Sequence, residues 1–88
     1  MILYRLYTEV KNVAEVNKLV NESFDGFTVL TGAGYWKNKL EYSMIIEILA
    51  REGEETKVSV LQLALRIKSL NSQEYVYITE MPTKLTVI

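Results

Sequence analysis

Apolar and polar residues alternate with a period of two over four stretches of this chain and recur at helical spacing over two others. Alternation is clearest in LEYSMIIEILAR, where Leu40, Met44 and Ile48 share one side and Glu41 and Glu47 the other. A period of two indicates strands, and a recurrence every three or four residues indicates amphipathic helices. The predicted elements, in chain order, are a strand at 2–10, a helix at 13–24, strands at 27–36 and 40–51, a helix at 57–70 and a strand at 74–80.

Short motifs predict where these elements end. Asn12 and Glu15 have the spacing of a capping box, in which their side chains would satisfy free amides at the start of the first helix. Gly26 would end that helix in the left-handed conformation. Pro82 would end the last strand, because it cannot donate to a ladder, and residues 83–88 would form a short edge strand or a tail.

The order of elements, β-α-β-β-α-β, predicts the ferredoxin-like α+β sandwich. Right-handed crossovers would place both helices on one face of a four-stranded antiparallel sheet, with strands 2–10 and 40–51 at its centre. The length, 88 residues, suits a single domain spanning 1–88.

The composition of the chain limits the kinds of catalysis and binding that it can support. The chain has no histidine, no cysteine and a net charge of −1. Nucleophilic catalysis by serine–histidine or cysteine–histidine pairs is therefore excluded, and an enzyme would need Glu, Lys or Tyr as its acid or base. The balanced charge gives no overall attraction to nucleic acid or membrane, and no apolar run approaches the roughly 20 residues of a membrane span. We expect a cytoplasmic protein, in the host cell if viral, without a metal or cofactor.

The stretch TGAGYWKNK concentrates glycines, aromatics and lysines around one predicted turn. Its glycines lie between two strands, so they are not a phosphate-binding loop, which needs a helix after the glycines. Gly32 and Gly34 either mark a β-bulge or bend, or let a ligand or partner approach the backbone. Trp36 either caps the core or is exposed as an anchor beside the lysines. The hypothetical ligand or partner site comprises Tyr35, Trp36, Lys37, Lys39, Glu41 and Ser43.

The sheet face opposite the helices is predicted to be more apolar than a wet surface normally is. This open face would carry Leu3, Arg5, Tyr7, Ile45, Glu47, Leu49, Tyr75 and Tyr77. Its tyrosines could stack nucleic-acid bases, but Glu41 and Glu47 would repel phosphates, so nucleic acid is the least favoured partner. Self-association, with Arg5 pairing a glutamate, is favoured, and a small-molecule or protein-binding module remains open.

The second helix is apolar over more of its circumference than one sheet face requires. Either the excess packs against the first helix within the monomer, or it also contacts a second subunit.

The stretch GYWKNKLEYSMIIEI resembles a pattern found in small proteins of phages and other mobile elements. The shared positions are Gly34, Tyr35, Trp36, Lys37, Glu41, Ser43, Ile46, Glu47 and Ile48, and the similarity extends over about residues 24–82. Asn38 departs from the glycine usual there, although asparagine also tolerates turn conformations. The resemblance implies a ferredoxin-like fold and a mobile-element origin.

Together these observations predict a non-enzymatic, homo-oligomeric binding protein. By analogy with small phage proteins, it would act in counter-defence, by sequestering a small, nucleotide-like molecule or by blocking a host protein. The alternatives are a nucleic-acid module that uses the open face and a purely structural homo-oligomer.

Overall fold

The computed structural model describes all 88 residues and has the predicted fold. Its elements are β1 (Ile2–Glu9), α1 (Val13–Ser23), β2 (Thr28–Trp36), β3 (Lys39–Ala50), α2 (Glu54–Asn71) and β4 (Tyr77–Pro82). The strands form one antiparallel sheet in the order β2-β3-β1-β4, with β1 and β3 at its centre. None of the helices is long and apolar enough to cross a membrane.

The core lies between the sheet and the two helices. Alternate residues of the central strands are buried there, as the period of two predicts: Ile2, Tyr4 and Leu6 from β1, and Met44, Ile46 and Ile48 from β3. The helices complete it with Val16, Val20, Val60, Leu63, Ala64 and Ile67. The opposite side of β1 and β3 is therefore the open face, and Leu3, Arg5, Tyr7, Ile45, Glu47 and Leu49 alternate there with the buried residues of the two strands.

The central strands differ in length, and this difference shapes the molecule. The last residue of β1, Glu9, lies opposite Ser43, whereas β3 begins four residues earlier, at Lys39. Residues 33–42 of β2 and β3 consequently project beyond β1 as a two-stranded ribbon. The molecule is elongated as a result, with extents of 39 × 24 × 21 Å.

The register between β2 and β3 runs without interruption from Thr28 opposite Glu47 to Trp36 opposite Lys39. Of the predicted alternatives of a β-bulge or a bend at the two glycines, the β-bulge is therefore wrong. Gly32 instead makes room for a neighbour, because a Cβ there would lie 3.3 Å from Cδ1 of Ile45.

The first helix spans Val13–Ser23, close to the predicted 13–24, but the predicted capping interactions at both of its ends are wrong. Asn12 adopts a left-handed conformation with φ 50°, and its side chain makes no capping bond, because it is bonded to Asn71 on the second helix instead. The helix ends at Ser23, and the extended residue Phe24 donates its amide to the carbonyl of Val20. Gly26 has no positive φ, so it does not end the helix in the left-handed conformation.

In the second half of the chain, the bounds of the last strand differ from the prediction. The last strand spans Tyr77–Pro82, so it begins three residues later and ends two residues later than predicted, with Pro82 as its final residue. Residues 83–88 form a tail rather than a strand.

On α2, the apolar side chains of Val58, Leu61 and Leu65 are exposed, so packing within the monomer does not account for the wide apolar stripe.

Candidate functional site: a notch at the end of strand β1 and the projecting hairpin

A notch opens in the sheet where β1 stops. One wall is the base of the projecting ribbon, and the other is the segment that connects α2 to β4. The cavity has a volume of about 590 Å³, within the roughly 300–1,000 Å³ of small-molecule sites. Its lining comprises Tyr7, Thr8, Glu9, Glu41, Tyr42, Ser43, Ser72, Gln73, Glu74, Tyr75 and Tyr77.

A buried polar network forms the floor of the notch. The Thr8 hydroxyl donates to Oε1 of Gln73 at 2.5 Å, and Nδ2 of Asn71 donates to the same oxygen at 2.9 Å. Nε2 of Gln73 donates to the Tyr75 carbonyl at 2.7 Å. Ser72 turns the chain into this position with φ 52° and closes the end of α2 through its amide. The network thereby fixes the backbone of the wall that carries Tyr75.

Two tyrosines of this wall lie side by side. The ring centroids of Tyr75 and Tyr77 are 4.7 Å apart, with an angle of 33° between the ring planes. Both side chains are more than half exposed, at 56% and 61%. Tyr77 lies opposite Tyr7 in the register of β4 with β1, so a third tyrosine adjoins the pair. These rings offer apolar surface and hydroxyl groups to a bound molecule.

The notch is acidic. Glu9, Glu41 and Glu74 line it, and no lysine or arginine does. The neighbouring Tyr77 phenol is the largest cause that raises the pKa of Tyr75 above its ordinary value of 10.0, and Glu41 and Glu74 add to the rise. Tyr75 is therefore a neutral hydrogen-bonding group at physiological pH. No three acidic side chains of the chain are grouped as metal ligands.

The hairpin that joins β2 to β3 carries the other half of the predicted site. Lys37 and Asn38 both have positive φ, 49° and 64°, as in the type I′ turn favoured between twisted strands. Trp36 is 65% exposed, so the alternative in which it caps the core is wrong. Nζ of Lys37 lies 5.8 Å from the centroid of the Trp36 ring, within the range of a cation–π contact.

The open face also includes residues of β1 and β3 that lie outside the notch. Nε of Arg5 donates a hydrogen bond to Oε2 of Glu47 at 2.7 Å within the same chain. The pairing of Arg5 with a glutamate on self-association stays a prediction. This hydrogen bond to Glu47 is the largest cause that raises the pKa of Arg5 above its ordinary value. Leu3 and Leu49 lie opposite each other at one end of this surface, and Tyr7 and Ile45 do so nearer the notch.

The structure divides the residues predicted from the sequence between two places. Glu41 and Ser43 meet Tyr7, Tyr75 and Tyr77 in the notch, whereas Tyr35, Trp36, Lys37 and Lys39 lie at the far end of the ribbon. Thr8, Gln73 and Glu74 also line the notch and were not among the residues predicted from the sequence. The sequence pattern could have identified Thr8, because it continues the alternating buried positions Ile2, Tyr4 and Leu6. A buried polar side chain at such a position needs a hydrogen-bond partner.

No protein-family model and no curated protein matches the chain. Among solved structures, it is similar to a phage SAM lyase in complex with S-methyl-5'-thioadenosine, with a TM-score of 0.72 and 14% identity, over 91% of this chain and 79% of the lyase. It is also similar to a DUF3240 family protein from Shewanella baltica, with a TM-score of 0.75 and 12% identity, over 99% of this chain and 93% of the other.

The divalent cation tolerance protein of Thermus thermophilus is similar as well, with a TM-score of 0.57 and 15% identity, over 99% of this chain and 88% of that protein. At these identities the likeness concerns the fold. The chain therefore shares its fold with proteins that include one from a phage.

Proposed function

We propose that this protein is a non-enzymatic binding protein that holds a small nucleoside-like molecule without phosphate groups in the notch. The observation that carries the proposal is the lining of the notch, in which four tyrosines and three carboxylates surround a cavity of about 590 Å³. Tyr7, Tyr75 and Tyr77 supply ring contacts, and Glu41 and Ser43 supply polar contacts.

The tyrosines favour a flat, ring-bearing ligand. The pair formed by Tyr75 and Tyr77 has centroids 4.7 Å apart, so it presents a continuous aromatic surface at one wall. Stacking of a nucleic-acid base on an aromatic side chain is worth about 1–3 kcal/mol. The Gln73 network holds this wall in place before any ligand arrives, which lowers the ordering cost of binding.

The carboxylates of the notch favour a neutral or positively charged ligand. Glu9, Glu41 and Glu74 line the notch without a basic residue, so a phosphate group there would meet uncompensated negative charge. A neutral nucleoside avoids this repulsion, and a positively charged one is attracted. The same argument disfavours nucleic acid as the occupant.

The fold comparison supports this class of ligand and a role in a mobile element. A phage protein of similar fold is described in complex with S-methyl-5'-thioadenosine, a neutral nucleoside. The sequence resemblance to small phage proteins favours the same origin. A binding protein of this kind would act in counter-defence by withholding a host molecule, and the chain has no histidine or cysteine for catalysis.

Isothermal titration calorimetry with adenosine, S-methyl-5'-thioadenosine, S-adenosylmethionine and AMP tests the proposal. We expect one molecule of a phosphate-free compound to bind per chain and AMP to bind at least tenfold more weakly. Chromatography of the recovered ligand should return it unchanged. Preferred binding of AMP would contradict the charge argument, and conversion of S-adenosylmethionine would contradict the non-enzymatic role.

Two substitutions test whether the ligand binds in the notch. Tyr75→Leu should weaken binding by about 5- to 100-fold, the equivalent of one lost stacking contact. Glu41→Gln should weaken the positively charged S-adenosylmethionine more than the neutral nucleosides. Glu55→Gln, an exposed carboxylate of α2 outside the notch, is the matched control and should bind as the unmodified protein does. Equal affinities for all three variants would mean that the ligand does not bind in the notch.

A further inference from the structure

The outer edge of β2 lacks every common protection of a free sheet edge. Its nine residues, Thr28–Trp36, include no charged residue and no proline, and the register with β3 contains no bulge. All of them are exposed except the half-buried Gly32. The opposite edge, β4, carries Glu80 and Pro82. Unprotected edges pair readily with other strands, so β2 is the edge available for a partner.

The exposed area is large enough for such a partner. The accessible surface is 6466 Å², whereas a compact monomer of 10.2 kDa exposes about 5,300 Å². The excess of about 1,150 Å² is greater than the roughly 800 Å² that each partner buries in a standard interface. The ribbon carries four exposed large apolar side chains, those of Tyr35, Trp36, Leu40 and Tyr42.

We propose that the free edge of β2 pairs antiparallel with the same edge of a second copy of this chain, around a two-fold axis. The two sheets would then form one continuous eight-stranded sheet. An axis perpendicular to the sheet keeps the helices of both copies on the same side, so opposite residues must point to the same face. The register in which all nine residues overlap places Gly32 opposite Gly32 of the second copy.

The side chains of β2 are self-complementary in this register. Leu30 lies opposite Gly34 of the other copy, and the opposite pairs Thr31–Ala33, Val29–Tyr35 and Thr28–Trp36 follow. Each pair therefore joins a large residue to a smaller one, or an aromatic residue to a β-branched one, which are favourable cross-strand combinations. The tip residues Tyr35 and Trp36 become interface contacts rather than exposed aromatics.

The charges at the two ends of β2 also match. Asp25 precedes the strand and Lys37 follows it, and the strand between them is uncharged. Antiparallel pairing brings the Lys37 end of one copy beside the Asp25 end of the other. Opposite charges therefore meet at both ends of the paired strands, and no like charges are opposed along them.

Light scattering of the full chain tests the assembly. We expect a mass of about 20 kDa at 100 µM, twice the 10.2 kDa of the monomer. Thr31→Lys places two lysines near the axis and should raise the dissociation constant at least tenfold. Thr79→Lys, an exposed threonine of the other edge strand, is the matched control and should remain dimeric. A monomer or a trimer of the unmodified chain would overturn the proposal.

Cysteine cross-linking tests the register independently of stability, because the chain has no cysteine. Gly32→Cys should form a disulfide between copies under mild oxidation, since directly opposite Cα atoms lie about 4.5–5.5 Å apart. The new side chain meets only the flexible end of Ile45. Thr28→Cys should not cross-link, because its two copies would be about 27 Å apart along the strands. Equal cross-linking of both variants, or none at position 32, would refute this pairing.

Discussion

The hydroxyl of Thr8 donates a hydrogen bond to Oε1 of Gln73 at 2.5 Å and joins two buried side chains that are 65 residues apart in the chain. Thr8 is at the end of the first strand, and Gln73 follows the second helix. Because Gln73 also binds the carbonyl of Tyr75, this single contact links the core to the tyrosine wall of the notch. The Gln73 side chain therefore serves both contacts, with Oε1 as the acceptor for Thr8 and Nε2 as the donor to the Tyr75 carbonyl.

We expect Gln73→Leu to destabilise the protein by about 1–3 kcal/mol, because the buried Thr8 hydroxyl and Asn71 amide lose their shared acceptor. Urea denaturation monitored by tryptophan fluorescence or circular dichroism gives the change in the free energy of unfolding. Ligand affinity should fall as well, because the backbone at Tyr75 loses a hydrogen-bond donor. Gln62→Leu, an exposed glutamine on α2, should change stability by less than about 0.5 kcal/mol.

A double-mutant cycle separates the contact from its surroundings. Thr8→Val removes the donor with little change of shape, and the combined variant with Gln73→Leu leaves fewer unpaired polar groups than Gln73→Leu alone. The combined loss of stability should therefore be smaller than the sum of the two single losses. Strict additivity would mean that Thr8 and Gln73 do not stabilise each other.

The sheet was predictable from the sequence because side chains in a strand alternate with a strict period of two. Leu6 and Ile46, for example, could be assigned to the core, and Arg5 and Glu47 to the open face, without knowledge of any contact. The ends of the elements were less predictable. The Asn12 side chain satisfies a distant residue, Asn71, rather than its own helix, and local motifs do not contain that information.

The notch could not be predicted, because it arises from a difference in strand length. From the sequence, Glu41 and Ser43 belong to the hairpin and Tyr75 to the last strand. The structure brings them together only because the first strand ends at Glu9 and the last begins at Tyr77. Strand boundaries are set by tertiary pairing, which local patterns define poorly.

The hairpin turn allows a second prediction. Lys37 adopts a left-handed conformation that costs a non-glycine residue about 1 kcal/mol, whereas asparagine tolerates it and glycine suits the second position of the turn. The double change Lys37→Asn with Asn38→Gly should therefore raise the free energy of unfolding by about 1 kcal/mol, as measured by urea denaturation. Asn21→Gly, on the exposed side of α1, should instead lower stability, since glycine weakens a helix interior. A destabilised turn variant would contradict the assigned turn geometry.

The core provides a prediction for alkaline pH. Tyr4 is only 3% exposed, and burial, followed by repulsion from Glu80, raises the pKa of its phenol above 10.0. Below pH 10 both the folded and unfolded states keep this proton, so Tyr4 causes no pH dependence there. Above pH 10 the unfolded chain loses the proton while the folded protein retains it, so stability falls until the pH passes the raised pKa. For one group the slope reaches at most about 1.4 kcal/mol per pH unit.

Tyr4→Phe should therefore change stability by less than about 1 kcal/mol at pH 7 and should make the protein relatively more resistant to urea between pH 10 and 11. The measurement is the difference in urea midpoint between the variant and the unmodified protein at each pH, which cancels the titration of all other groups. Tyr42→Phe, which removes an exposed phenol from β3, is the matched control and should keep a constant difference in midpoint from the unmodified protein. If the difference for Tyr4→Phe is constant from pH 7 to 11, the phenol of Tyr4 does not have a raised pKa in the folded protein, and burial of this ring does not limit alkaline stability.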